Sequence, residues 1–483
     1  MKKVYIIILL AVLFRLYHIN FPVLGWHSWR QSDTATIARN FFYNGFNILH
    51  PQINWNGNGT GYVESEFHIY PFIVSLFYAV FGINDMYGRI ISIIFSLFTI
   101  YGIYLLVRKI MNESTALWSS FIYAILPLNI FYSRAFMPES TMLMCSVYSI
   151  YFFSEWIDKE NLKYLILTWL FTSLAILIKI PALYLGLPLA FLAIQKYRYK
   201  AFSNYKLWLL AFFVLLPVFL WYYHAHQLFL NNGATFGIWE FGTDKWGNFN
   251  LWIDPKFYEA IFVIVIPERL LTYPGTILFL IGLFIKRKYP QEKLFDFWLI
   301  AVIIYFFIVA EGNMQHEYYQ LPFVIPVCVF IGKVMGKALS FVNFRTKFPE
   351  NKIQSSLALV CLFLIIVLSF LRVQNFMKSE DWNSPVFKIA NDVKSNSNKT
   401  DLIITISNGD PVYLYHCDRI GWTVISENLD LNYVSQRIKE GAKFITGETN
   451  KFESQGSKDN HNKIFQKYNI IVNESEYFIV KLK

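Results

Sequence analysis

The chain has 483 residues, 55% of them hydrophobic and only 16% charged, with a formal net charge of +10. That balance excludes an ordinary water-soluble protein and places the chain in the membrane class. It also argues against nucleic-acid binding, because Lys and Arg fall in short clusters between apolar runs, as a membrane topology signal does.

Met1-Lys2-Lys3 followed by Val4 to Leu13 has the outline of a signal peptide, but no small-residue cleavage site follows it. It reads as an uncleaved first transmembrane helix. About 20 apolar residues cross a bilayer as a helix, and such helices are expected at 4–22, 88–107, 114–132, 141–157, 163–178, 181–195, 206–223, 268–285, 295–310, 321–339 and 353–373, about eleven in all. The stretch 67–83 is apolar but short, and is expected to lie in the interface. With the N-terminus inside, the basic clusters Arg108-Lys109, Lys159 to Lys163, Lys196 to Lys206, Lys286-Arg287-Lys288 and Arg345 to Lys352 then all fall inside. The outer side receives 23–87, 134–139, Lys179, 224–267 and 311–320.

From about residue 374 the composition turns to Asn, Ser, Lys, Asp and Glu. There 401–407 reads as a short buried strand, and 384–395 and 431–440 read as helices. The expected fold is therefore an α-helical polytopic membrane protein with a small C-terminal α/β domain. Residues 1–373 form the transmembrane part, with a first outer loop at 23–87, and 374–483 form an outer soluble domain. Cys145, Cys328 and Cys361 lie in apolar runs, and with Cys417 they make no CxxC. No disulfide framework or zinc site is implied.

Several outer residues have the chemistry of a site. Thr34 to Phe46 carries Ile37, Phe41 and Phe42 at helical spacing, so an amphipathic helix is expected with Ser32 or Asp33 as its cap. A capping carboxylate at a membrane surface can also face a cleft. Glu139, behind Pro138, suits a helix start and is equally a candidate second acidic group. Lys179, flanked by Ile178 and Ile180-Pro181, either snorkels to headgroups or holds an anion such as a lipid phosphate. His316, Glu317 and Tyr318-Tyr319 enter a span together and can donate hydrogen bonds to a phosphate or sugar. Glu64, Glu66 and His68 alternate before the interfacial stretch and offer an acceptor site or ligands for a divalent cation, although their spacing matches no strict metal motif.

Taken with Trp29-Arg30-Gln31-Ser32-Asp33-Thr34, Glu66-Phe67-His68-Ile69-Tyr70-Pro71, Arg89, Arg134 to Glu139, Lys179-Ile180-Pro181 and His316 to Pro322, the chain resembles the GT-C superfamily of membrane glycosyltransferases. Its PMT/ArnT-like bacterial branch is the nearest likeness, over about residues 1–373. The resemblance implies transfer of a sugar from a polyprenyl-phosphate donor to a lipid, glycan or protein acceptor, with inversion, at the outer face of a bacterial plasma membrane. It further implies Asp33 as general base and Glu139 as the second acidic position, with Lys179 beside the donor phosphate and Arg134, His316, Tyr318 and Tyr319 around it. Thr34 stands where many relatives carry another carboxylate. The resemblance names no certain cofactor and leaves room for a divalent cation. The alternative is a transporter or flippase of a lipid-linked saccharide, in which polar groups would gather near the midplane of symmetric halves.

Overall fold

The computed structural model describes residues 2–237, 245–339, 352–378 and 382–483. The chain divides into two compact units, one of Met1–Ile19, Arg89–Tyr223 and Trp239–Met377, the other of Asn20–Gly88, His224–Ile238 and Lys378–Lys483. The second unit therefore takes in the first outer loop together with the C-terminal region.

The first unit is helical and its exterior is apolar. In α1 (Lys2–Leu16), Val4, Ile7, Ala11 and Arg15 recur at helical spacing and are buried, while Tyr5, Ile6, Leu9 and Leu13 face outward. In water such outward residues would be an aggregation surface; in lipid they are the solvated face. Helices α4 (Asp85–Ile110), α5 (Glu113–Ile125), α6 (Pro127–Tyr132), α7 (Glu139–Lys159), α8 (Leu162–Ile178), α9 (Gly186–Tyr197) and α10 (Tyr205–Asn232) follow. Small polar groups sit between them: Ser149 and Thr172 hydroxyls join α7 to α8 at 2.6 Å. Gly332 meets Ser119 so closely that a Cβ there would lie 2.3 Å from the hydroxyl oxygen. Membrane helices approach through such residues because lipid supplies no hydrophobic drive to hold them together.

Among the described residues, five helical stretches are long and apolar enough to cross a bilayer, or six when Pro255–Leu270 and Tyr273–Phe284, bent by 112°, count as one. All eleven expected segments are largely helical, but several are shorter than a full span. The segment 114–132 is interrupted before Pro127, which opens α6. The interfacial candidate 67–83 contains α3 (Ile69–Phe81), whose 13 residues reach only about 20 Å.

In the second unit, α2 (Ser28–Tyr43) and α3 come from the first loop. The C-terminal part holds β1 (Leu402–Ile406), β2 (Gly421–Val424), β3 (Ala442–Glu448), β4 (Asn469–Asn473) and β5 (Tyr477–Lys481) in the order β2-β1-β3-β5-β4. The first three are parallel, β5 runs antiparallel to β3, and β4 runs antiparallel to β5. Helices Pro385–Asn396 and Leu431–Lys439 match the expected positions. The sheet is covered on both sides, by Ile389, Val393, Tyr413 and Leu414 on one and by Val434, Leu429 and Ile464 on the other. The loop then extends the β2 end: Gly57 N–H donates to Gly421 O at 2.7 Å, and Gly421 N–H to Asn54 O at 2.9 Å.

Candidate active site

Helix α2 carries Arg30 to Ala38 buried without a break, although most of these side chains are polar. A half-polar helix enclosed on every side needs internal partners for each group. Gln31 Nε2 donates to Trp26 O at 2.9 Å and Thr34 Oγ1 to Arg30 O at 2.8 Å. Arg30 pairs with Glu66 at 3.1 Å and lies over the Phe236 ring.

Asp33 is 2% exposed, and one carboxylate oxygen accepts the Trp55 indole N–H at 3.0 Å. It does not cap α2. The helix begins five residues earlier, with His27 in a left-handed conformation at the cap position, because no Gly or Pro interrupts 28–33 and burial satisfies the polar side chains. The Asp33 carboxyl is pushed up to about 7, chiefly by burial, against the lowering effects of Arg30 and the Trp55 hydrogen bond, with Asp410 raising it further.

Asp410 went unnoticed in the sequence. It follows Asn408-Gly409, both at positive φ, just past the C-terminal end of β1. Ser28 Oγ donates to it at 3.3 Å, the Val412 N–H donates to its other oxygen at 2.9 Å, and burial raises its carboxyl above the ordinary range. The Asn-Gly-Asp-Pro turn after a buried strand was the available signal. Trp55 was also missed; an indole within Asn54-Trp55-Asn56-Gly57 marks a polar loop around an apolar anchor.

Glu64, Glu66 and His68 do not converge. Glu64 meets His226 Nδ1 at 3.0 Å and accepts from Thr235 Oγ1 at 2.5 Å, Glu66 takes Arg30, and His68 Nε2 lies 2.5 Å from Ser65 Oγ. Burial pushes His68 down to about 3, which keeps its imidazole neutral. The expected cation triplet is therefore corrected: alternation in an extended strand would have aligned these groups, but each is drawn to a different neighbour. Among the described residues, no group of three or more His, Cys, Asp or Glu is placed to hold a metal ion.

The first unit holds a separate constellation. Glu139 opens α7, with Pro138 at its cap position, and Lys179 ends α8. Their side chains form an ion pair at 2.6 Å and are 1% and 9% exposed. The Lys179 ammonium also lies over Tyr318 and Tyr319, 4.7 and 5.2 Å from their ring centres. His316 stacks on Tyr318, and Tyr132 donates to Glu317 at 2.8 Å. Arg134 is directed elsewhere: with Arg89 it donates to His18 O, at 2.6 and 3.2 Å. Thus Glu139, Lys179, Tyr318, Tyr319 and His316 come together, whereas Arg134 braces the end of α1. The constellation offers a partly neutralised cation with N–H donors to spare beside phenol hydroxyls, suited to an anionic group bearing several oxygens.

The model of the family described as dolichyl-phosphate-mannose-protein mannosyltransferase matches residues 68–223. An uncharacterised protein of Aquifex aeolicus (strain VF5) is 26% identical over 274 residues, 53% of this chain, and the match spans 63% of that protein's length. Among solved structures, ArnT from Cupriavidus metallidurans bound to undecaprenyl phosphate superposes with a TM-score of 0.70 at 11% identity, over 99% of this chain and 97% of that one. The archaeal oligosaccharyltransferase AglB from Archaeoglobus fulgidus, in complex with an inhibitory peptide and a dolichol-phosphate, gives 0.64 at 13% identity, over 92% and 69%. At such identities the likeness concerns the fold.

Proposed function

Because the chain has the PMT/ArnT-like fold of the GT-C membrane glycosyltransferases, we propose that it transfers a sugar from a polyprenyl-phosphate donor to an acceptor hydroxyl, with inversion at the anomeric carbon. The observation that carries this reading is Asp33: a buried carboxylate raised to about 7 and oriented by Trp55 has the basicity a general base needs near neutral pH.

Asp33 takes the proton of the acceptor hydroxyl as its oxygen bonds to the anomeric carbon. The bond from that carbon to the phosphate oxygen breaks, and polyprenyl phosphate leaves with the electron pair. Lys179, held in place by Glu139 and flanked by Tyr318 and Tyr319, stabilises the departing anion. His316 keeps Tyr318 in register through its stacked ring. The ArnT and AglB structures contain undecaprenyl phosphate and dolichol-phosphate, which supports the same chemical class of lipid here.

The same reading makes 1–373 the transmembrane catalytic part, with about eleven membrane segments in all. It makes 374–483 an extracytoplasmic domain, and the location a bacterial plasma membrane with the reacting side chains outside. The acceptor is a lipid, a glycan or a protein. Purified protein incubated with a panel of polyprenyl-phosphate sugars should consume one of them, and the Asp33→Asn variant should not. Failure to consume any donor, or equal turnover by the variant, defeats the proposal.

A further inference from the structure

At the end of the first unit remote from Lys179, a cavity of about 480 Å³ is lined by Lys286, Arg287, Lys288, Lys333, Lys337 and, among the described residues, a single carboxylate, Glu292. The carboxylate is already committed, since it pairs with Lys333, whose ammonium also donates to Lys286 O at 3.1 Å. Arg287 is likewise engaged: its Nε donates to Asp296 at 2.9 Å, and its guanidinium lies over Phe330. These pairs fix the wall and leave it close to neutral. Lys286, Lys288 and Lys337 have no carboxylate partner among the described residues, so three like charges share one cavity. Their mutual repulsion is relieved by an anion that bridges them.

The helix that leads the chain into the cavity narrows the kind of anion. Helix Tyr273–Phe284 exposes Tyr273, Ile277, Leu280, Ile281 and Phe284, a stripe at helical spacing that runs to within two residues of Lys286. Phe284, at its end, is 88% exposed. An apolar track ending at a cationic cavity matches a molecule with acyl chains below and a phosphate above. The cavity is also distinct from the Lys179 constellation. Helix Val324–Ala338 has Tyr318 and Tyr319 just before its start and Lys333 and Lys337 near its finish, and its 15 residues span about 22 Å.

We infer that this cavity binds the phosphate headgroup of an anionic phospholipid, with the lipid's chains lying along Ile277, Leu280, Ile281 and Phe284. The site is independent of sugar transfer and stands or falls without it. Lys286 and Lys337 are exposed, so replacing both with Ala removes charge without opening the core.

The test is native mass spectrometry of the full chain released from detergent with equal amounts of phosphatidylglycerol and phosphatidylcholine of matched chains. The wild type should retain phosphatidylglycerol in preference, on the order of tenfold or more, and Lys286→Ala/Lys337→Ala should lose most of that preference. Equal retention of the two lipids by the wild type overturns the inference, as does a folded double variant with undiminished preference. Inorganic phosphate at millimolar concentration provides the second arm. If it displaces phosphatidylglycerol, the cavity is a soluble-phosphate site and the lipid assignment is wrong. Melting in phosphatidylcholine alone establishes that the variant is folded; should it not be, the wild-type preference and the phosphate arm still decide.

Discussion

Replacing Asp33 with Asn separates catalysis from stability in opposite directions. The carboxyl moves from an ordinary 3.8 to about 7 on folding, so between those values the folded chain holds a proton that the unfolded chain has released. Stability from this group is complete below the unfolded value and is lost as pH rises toward 7, at about 1.4 kcal/mol per pH unit. Between pH 5.5 and 7 the wild type should therefore lose about 2 kcal/mol that the Asn variant keeps, and above pH 7 the difference should level off. Asn can still accept the Trp55 indole N–H, so the hydrogen bond observed at 3.0 Å is not a confounding loss. Catalysis should respond oppositely, with turnover falling roughly 10²- to 10⁴-fold as the base is removed. The assay pairs denaturation monitored through tryptophan fluorescence in detergent, at pH 5.5, 7 and 8.5, with donor consumption at the same values. A variant whose stability tracks the wild type across that range would show that Asp33 is not the buried, proton-retaining group described, and undiminished turnover would remove it from the mechanism.

Lys179→Met should leave Glu139 buried without its ammonium and cost about 3–5 kcal/mol, while Lys179→Met/Glu139→Gln should regain much of that stability and still fail to turn over donor. Wild-type donor turnover in the double variant would refute the phosphate role. Trp55→Phe removes the donor that lowers the Asp33 carboxyl, so the acid limb of the rate profile should move to higher pH by about one unit; an unmoved limb would mean that Asp33 does not set it. Gly57→Ala places a Cβ 2.2 Å from the Trp422 indole nitrogen at a backbone φ of +59°. It should weaken the second unit by about 1–2 kcal/mol or more through the left-handed conformation alone, measurable as faster amide exchange in β2. Unchanged exchange would deny that the loop is fastened there.

Charge alternation between spans was enough to expect Glu139, Lys179 and Tyr318-Tyr319 on one side, but not the ion pair of Lys179 with Glu139 or the rings over its ammonium. The same rule gathered Lys109, Glu155 and Lys159 at the ends of α4 and α7, where they form ion pairs at 2.8 Å and closer. The start of α2 was not legible, because a cap is a local signal and 28–33 is sustained by burial among groups remote in sequence. Asp410 was hidden for the same reason: it lies 382 positions from Ser28, its hydrogen-bond donor. The short helices misled a reading based on hydropathy alone, since hydropathy reports what lipid tolerates and not where a proline or a bend interrupts the backbone. Alternating acidic residues at 64 and 66 suggested shared ligation, whereas Arg30 and His226 claim them separately.

The second unit has a consequence for the order of synthesis. Arg39 donates to Tyr415 O at 2.8 Å, Tyr415 reaches Asp85, and His416 Nε2 lies 3.0 Å from Val23 O. The loop bearing Asp33 is thus made early but enclosed late, after the ribosome has added the strands and turns that surround it, a delay on the order of tens of seconds. The raised carboxyl of Asp33 therefore depends in part on the last quarter of the chain folding onto the first loop, which brings Asp410 beside Ser28 and Tyr415 beside Arg39.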